Sequence, residues 1–254
     1  MLPDVSKPRP PINNHLLSAL PPKDFLFIER HLESLSMVSG TMLADYCDPI
    51  QHCYFPNNGM ISLLSVLEDG STCEVGYIGF EGVVGMSAIF GKNEMPYQAL
   101  VQARSEGFRV PIEVVAELFR KSPIFHDISL QFTYVVLRQF AQTSACNRFH
   151  TAESRLCRWF SVMCERSGNS HLTLTQEFLA YMLGVQRTSI GTIANNLQEN
   201  GIIKYSRGRI EVLDLEGLKS QACECFDLIK SELREFLAGN KSPYMSTTRQ
   251  TVQS

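Results

Sequence analysis

Between residues 172 and 203 the apolar positions fall at helical spacing in two short blocks separated by one glycine. Phe178, Leu179, Met182 and Leu183 form the first block. Thr175 opens it at an N-cap position, with Glu177 in the next turn where a carboxylate suits the helix dipole, and Gly184 closes it. Val185 fills the turn. A second helix from about Gln186 points Ile190, Ile193, Ala194 and Leu197 inward and leaves Arg187, Thr188, Ser189, Thr192 and Asn196 outside. After Gly201, two β-type runs (202–205 and 209–213) meet at Ser206-Arg207-Gly208, which predicts a hairpin. The spacing predicts a helix-turn-helix followed by a wing.

The rest of the chain has two textures. Residues 13–36 read as helix-rich, with Asp24 capping a helix that carries Phe25, Ile28, Leu32 and Leu35. From Met37 to Pro111 short β-type runs alternate with turn residues, predicting strands at 41–43, 51–55, 60–67, 71–78, 98–103 and 107–110, with Glu68-Asp69-Gly70 as a hairpin turn. Strands at this spacing indicate an all-β roll or sandwich. Gly76, Gly79, Gly82, Gly85 and Gly91 punctuate it, and both phosphate cradling and simple corner turning are open to them. A small helix is expected at 112–120 and a long one at 123–149. Phe125, Ile128, Phe132, Val135, Gln139 and Gln142 recur along the long helix at heptad spacing, and Leu130, Tyr134, Leu137 and Ala141 form a second stripe. A helix apolar on two faces needs two partners: the roll, and a second copy of itself along the Phe125–Gln142 seam, where the two glutamines set register. Burial of that seam within one monomer is the competing reading. Further helices are expected at 150–165, with Leu156, Trp159, Phe160 and Met163 inward, and at 216–237.

Composition supports a globular protein: 254 residues, 44% hydrophobic and 19% charged. The net charge of −3 is uneven, since residues 1–150 hold 11 Lys+Arg against 15 Asp+Glu, whereas residues 151–215 hold 7 against 6. The acid therefore lies away from the winged segment. No apolar run reaches the roughly 18–20 residues needed to span a bilayer, and the proline-rich start lacks a signal peptide's apolar core, so a cytoplasmic protein with no membrane partner is expected. The eight cysteines form no C-x-x-C pair, and on a continuous helix Cys223 and Cys225 would diverge by about 200°. They read as buried small apolar residues rather than a metal site, and the spacing of Cys47, Cys53 and Cys73 does not support one. There is no Ser/His/Asp set or paired-carboxylate site, so no catalytic residue and no enzyme activity is expected.

The outer face of the second winged-segment helix carries the chemistry. From Gln186 to Gln198 there is one cation and no carboxylate, which suits entry into a major groove lined by phosphates. Arg187 is placed for a bidentate contact to guanine, and Thr188, Ser189, Thr192 and Asn196 add short donors and acceptors. Thr175, Lys204, Arg207 and Arg209 are placed for the phosphate backbone. Double-stranded DNA is the expected partner, and a dimer would read a palindromic operator. The alternative is a ligand-binding regulatory or scaffold protein whose winged helix contacts another protein.

In the order β roll, long helix, winged helix-turn-helix, the chain resembles the Crp/Fnr family of bacterial transcription regulators. The segments EVGYIGFEGVVG, HTAESRLCRWF and LTQEFLAYMLGVQRTSIGTIANNLQENGII carry the resemblance. It implies an α+β protein with a jelly-roll-like, cyclic-nucleotide-binding-like roll that senses a signal. A homodimer is implied too, with RNA polymerase as a further partner. The implied domains are a disordered leader at 1–12, a sensor roll at 13–121, a dimerisation helix at 122–149, a DNA-binding domain at 150–217 and a C-terminal helix and tail at 218–254. Family members that bind cyclic AMP have a carboxylate after the cassette glycine and an Arg-Ser pair downstream. Here Met86 follows Gly85, and Tyr97 and Gln98 stand at the pair, so Gly85, Met86, Ser87, Tyr97 and Gln98 outline an effector pocket unsuited to a cyclic phosphate. No cysteine precedes Cys47 where iron–sulfur members carry a cluster, and His52 reads as structural rather than as a haem ligand, so neither cofactor is expected. Thr188 and Thr192 replace the glutamate and arginine of the named regulators' recognition helix, which predicts a different operator.

Overall fold

The alternating region becomes two antiparallel sheets in the computed structural model, which describes residues 11–239. The expected leader, except 11–12, and the expected tail beyond Gly239 lie outside the described residues. Two helices, α1 (His15–Ser18) and α2 (Pro22–Glu29), lead into β1 (Glu33–Met37). Then come β2 (Met42–Ala44), β3 (His52–Pro56), β4 (Met60–Val66), β5 (Thr72–Ile78), β6 (Gln98–Ala103) and β7 (Ser105–Pro111). The sheets have strand orders β1-β7-β3 and β2-β6-β4-β5. Phe55, Ile61, Leu63, Ile78, Val101 and Phe108 are buried between them.

The helix expected to carry Leu32 and Leu35 stops at Glu29. Residues 33–37 alternate in exposure and pair with β7, Leu35 opposite Gly107, so a period of two prevails where an open sheet edge can be satisfied. Asp24 is not the cap of α2, whose N-cap is Pro21; it lies in the first turn and accepts a hydrogen bond from Ser122 Oγ.

Helix α3 (Ile112–Lys121) precedes α4 (Pro123–Phe149), which spans the residues its periodicity predicts. Two glycines of the roll let α4 lie directly on it. A Cβ at Gly82 would stand 2.0 Å from the Phe132 ring, and one at Gly76 would stand 2.4 Å from Gln139 Oε1. Gln139 Oε1 instead accepts the Tyr77 backbone N–H at 2.8 Å. These two glycines therefore serve helix packing, a use the pattern alone did not separate from phosphate cradling or corner turning.

This seating corrects the expected dimer seam. Phe125, Ile128, Phe132 and Gln139 are buried within the chain, and Val135, Gln139 and Gln142 face α9 (Cys225–Leu237), which folds back along α4. Arg138 pairs with Glu232 across that contact at 2.5 Å. The stripe left open is the other one: Leu130, Tyr134 and Leu137 are 43%, 58% and 59% exposed.

Beyond α4 stand α5 (Ala152–Ser167), β8 (His171–Thr173), α6 (Gln176–Leu183), α7 (Arg187–Glu199), β9 (Ile203–Ser206), β10 (Arg209–Val212) and α8 (Leu215–Gln221). The single helix expected at 216–237 is broken. Ala222 is extended at ψ 150°, and α9 starts afresh at Cys225. A continuous helix could not complete the winged domain with Leu218 and also bury Phe236 against the roll. Cys223 and Cys225 therefore do not diverge from one helix. Among the described residues, no helix is long and apolar enough to cross a membrane.

Gly82→Ala is expected to lower stability by about 1–3 kcal/mol through collision with Phe132, read as the midpoint of urea denaturation, and Phe132→Leu in the same chain should restore part of the loss.

Candidate nucleic-acid interface

Local rules build the winged domain as the sequence indicates. Thr175 Oγ1 accepts the Phe178 N–H at 3.1 Å and caps α6, and Gly184 ends it in the left-handed region. Ile190, Ile193, Ala194 and Leu197 of α7 are buried against Leu179, Met182 and Leu183. That packing fixes which side of α7 faces water. Arg187, Thr188, Thr192 and Asn196 are exposed, and Ser189 is half-buried. Thr192 Oγ1 donates to the Thr188 carbonyl at 3.2 Å, so its hydroxyl is left to accept and its methyl to make apolar contact.

The wing is a three-stranded sheet of order β8-β10-β9, and β8 was not expected from the sequence because three residues carry too little alternation to register. Ser206 pairs with Arg209, leaving Arg207 and Gly208 as a two-residue turn with φ of +50° and +77°. Both positive values are what a type I′ hairpin requires. Tyr205 ties the wing to the helices: its N–H donates to Gln198 Oε1 at 2.8 Å and its hydroxyl to the Leu174 carbonyl at 3.3 Å. Lys204, Arg207 and Arg209 are exposed. Among the described residues, no ion pair engages them or Arg187. Thr175, Arg187 and Arg207 line one cleft between α6, α7 and the wing, so residues separated by 32 positions come together.

Helix α5 holds this domain to the roll through buried polar groups. Arg166 makes a two-point bridge to Glu81 at 2.6 and 3.1 Å, with side chains 11% and 5% exposed, and its guanidinium also lies over Tyr77 and Phe80. Glu74 accepts from Ser62 Oγ at 2.5 Å and Trp159 Nε1 at 3.1 Å. Burial nevertheless pushes its carboxyl above the usual range, against those hydrogen bonds and Arg158. Arg155 donates to the Leu183 carbonyl at the end of α6. Apolar contact continues across the junction, with Met60, Leu64 and Leu100 of the roll sharing a core with α5 and α6.

Comparison with known proteins gives the same two units in the same order. Residues 35–122 match the family model described as a cyclic nucleotide-binding domain, and residues 154–221 match that of the Crp-like helix-turn-helix domain. The chain belongs to the Crp/Fnr family of transcription regulators. It is a DNA-binding transcription regulator. It is 24% identical over 174 residues to a global nitrogen regulator of Nostoc, covering 65% of this chain and 78% of that protein. It is 26% identical over 175 residues to the transcriptional regulator SdrP of Thermus thermophilus, covering 68% and 85%. A solved Crp/Fnr-family regulator from Eubacterium rectale superposes with a TM-score of 0.68 at 16% identity, over 81% of this chain and 96% of that one.

In this Crp/Fnr fold the expected effector residues turn to different surroundings. Gly85 lines a cleft of about 130 Å³ with His52, Tyr54, Asp48 and Met95. Met86 is buried, and Ser87 Oγ is enclosed without a hydrogen-bond partner among the described residues. The Tyr97 ring packs edge-on against Phe140 of α4, and burial pushes its hydroxyl well up. Gln98 turns outward, donating to Asp45 Oδ1 at 2.7 Å and accepting from Tyr181 Oη of α6 at 3.0 Å. Tyr97 and Gln98 thus belong to the contacts of the roll with α4 and α6. Tyr97 lies just before β6 and Gln98 is its first residue, and the two side chains turn to different neighbours.

Glu81→Ala strands the Arg166 charge beside the roll and is expected to cost about 3–5 kcal/mol, measured as loss of stability in urea with Trp159, the single tryptophan, as the fluorescent probe.

Proposed function

We propose that the protein acts as a homodimer that reads a palindromic operator with α7, and that its roll answers to a signal other than cyclic AMP. The carrying observation is the outer surface of α7 and the wing, where four exposed cations, without an ion pair among the described residues, accompany a helix face without a carboxylate. Arg187, at the first position of α7, contacts a guanine, and Thr188, Ser189, Thr192 and Asn196 meet neighbouring bases. Lys204, Arg207, Arg209 and the Thr175 hydroxyl hold phosphates. The exposed stripe Leu130-Tyr134-Leu137-Ala141 supplies the dimer contact, since its three- and four-residue spacing is that of a coiled-coil seam.

The reading of the signal rests on the cleft beside Gly85, whose lining includes Asp48 and no Lys or Arg. A cyclic phosphate placed there would bury its charge without a cation. The face of α7 is open to solvent while α6 is docked on the roll, so a signal acts by changing the spacing of the two readers rather than by uncovering one. Contact with RNA polymerase, location in the cytoplasm and action without catalysis belong to the same reading.

Binding-site selection from random DNA tests the reader. Arg187→Ala is expected to weaken the selected site by about 1–3 kcal/mol and to relax one base pair per half-site, whereas Lys204→Ala and Arg207→Ala weaken all sequences alike and reduce the salt slope by about one each. A selection that enriches no motif would favour the protein-contact reading of the wing. For the dimer, Leu137→Glu is expected to give monomers in sedimentation equilibrium and to abolish cooperative occupation of a two-fold site. Val135→Glu, on the covered stripe, should unfold the chain instead.

A further inference from the structure

Four side chains outside the DNA-reading surface converge at the far end of α4. Cys146 and His150 lie one turn apart, at the last turn and C-cap of that helix, and Cys223 and Cys225 flank Glu224 at the break between α8 and α9. Cys146 Sγ is 3.5 Å from Cys223 Sγ, and Cys225 Sγ is 3.5 Å from His150 Nδ1. The four potential ligand atoms lie within 4.8 Å of one another, and the three thiols are buried. Both family-model matches end before Cys223.

We propose that Cys146, His150, Cys223 and Cys225 form a closed tetrahedral site for a single zinc(II)-class ion. An ion with metal–sulfur bonds of about 2.3 Å sets its ligands about 3.8 Å apart along the tetrahedral edge, and the 3.5 Å separations lie near that edge. A four-iron cluster spreads its cysteines over separate iron atoms and needs its sulfurs much farther apart. Three thiols and an imidazole suit a borderline-soft divalent metal, whereas calcium and magnesium take oxygen.

The surroundings match a ligand set rather than a chance cluster. His150 turns Nδ1 to the thiols and Nε2 toward the Glu224 carboxylate, which at 3.9 Å would have to draw in by about 1 Å to orient a metal-bound imidazole through a hydrogen bond. Gln142 Nε2 donates to Cys225 Sγ at 3.0 Å and fixes the position of that sulfur. On binding, each thiol gives its proton to solvent as a metal–sulfur bond forms, with no change of oxidation state. Three thiolates, a neutral imidazole and a divalent ion leave one negative charge. Arg158, 5% exposed and within electrostatic reach of Cys146 and Cys223, offsets it. The ion would clamp the α8–α9 connection to the end of α4, beside Thr151, the N-cap from which the reader's first helix departs.

The test uses the full chain without a histidine tag, purified reduced and assayed by inductively coupled plasma mass spectrometry and by cobalt(II) substitution. The expected result is about one zinc per chain and the visible bands of tetrahedral thiolate-bound cobalt. Cys223→Ser and Cys225→Ser should each lower metal affinity about tenfold or more, while Cys47→Ser, at an exposed cysteine, retains it. If a serine variant fails to fold, the cobalt spectrum of the unaltered protein decides alone. Reduced protein that takes up no stoichiometric zinc and gives no tetrahedral cobalt spectrum would overturn the proposal. So would iron with acid-labile sulfide, full retention of metal by both serine variants, or a Cys146–Cys223 disulfide in place of bound metal.

Discussion

The seating of α4 on the roll is the contact from which the other relations in the molecule follow. Gly76 and Gly82 remove the side chains that would hold the helix away, and Phe132, Gln139 and Phe140 take up the space. Once that face is committed, Leu130, Tyr134 and Leu137 must point outward. The rotation of α4 also sets where Cys146 and His150 point, and the line along which α9 returns. A helix docked through its other stripe would present a different dimer face and scatter the cysteines. The contact is stiff because its clearance is below the diameter of a methyl group, and close-packed interiors give way poorly to added volume.

The junction between roll and reader combines apolar contact with buried charge. Leu64, Leu100 and Met182 supply non-directional burial, whereas Glu81 with Arg166 and Glu74 with Ser62 and Trp159 supply direction. Buried pairs of this kind contribute little net stability, because desolvation offsets the attraction, yet leaving one member unpaired costs several kcal/mol. Such a junction tolerates few intermediate positions: it is fully made or it is broken. That property suits a domain whose orientation must be defined.

Much of this was legible in the sequence where one local rule acted alone. The limits of α4, the strand at 98–103 and the buried face of α7 follow from apolar periodicity, and Thr175 and Gly184 act as the cap and stop their chemistry implies. What was not legible depends on which of two equivalent surfaces finds a partner first. Both stripes of α4 have heptad spacing, and only the cleared surface around Gly82 selects Phe125–Gln142 as the inner one. Leu32 and Leu35 fit a helix or a strand until β7 offers an edge. The expected divergence of Cys223 and Cys225 fails because a break at Ala222 takes the pair off a single helix, although their burial is as the sequence implied. Cys146 and His150 stand four residues apart on one helix face, a spacing that was not read as part of this cluster.

The tip of the wing places an arginine in a backbone conformation that suits asparagine or glycine better. Holding Arg207 at positive φ sacrifices of the order of 1 kcal/mol of folding stability, with no ion pair among the described residues to recover it. Position 207 is therefore a place where foldability and charge pull in opposite directions. Random variation filtered only for thermal robustness should drift away from arginine there, while descent under the proposed DNA-reading role would hold it against that slope.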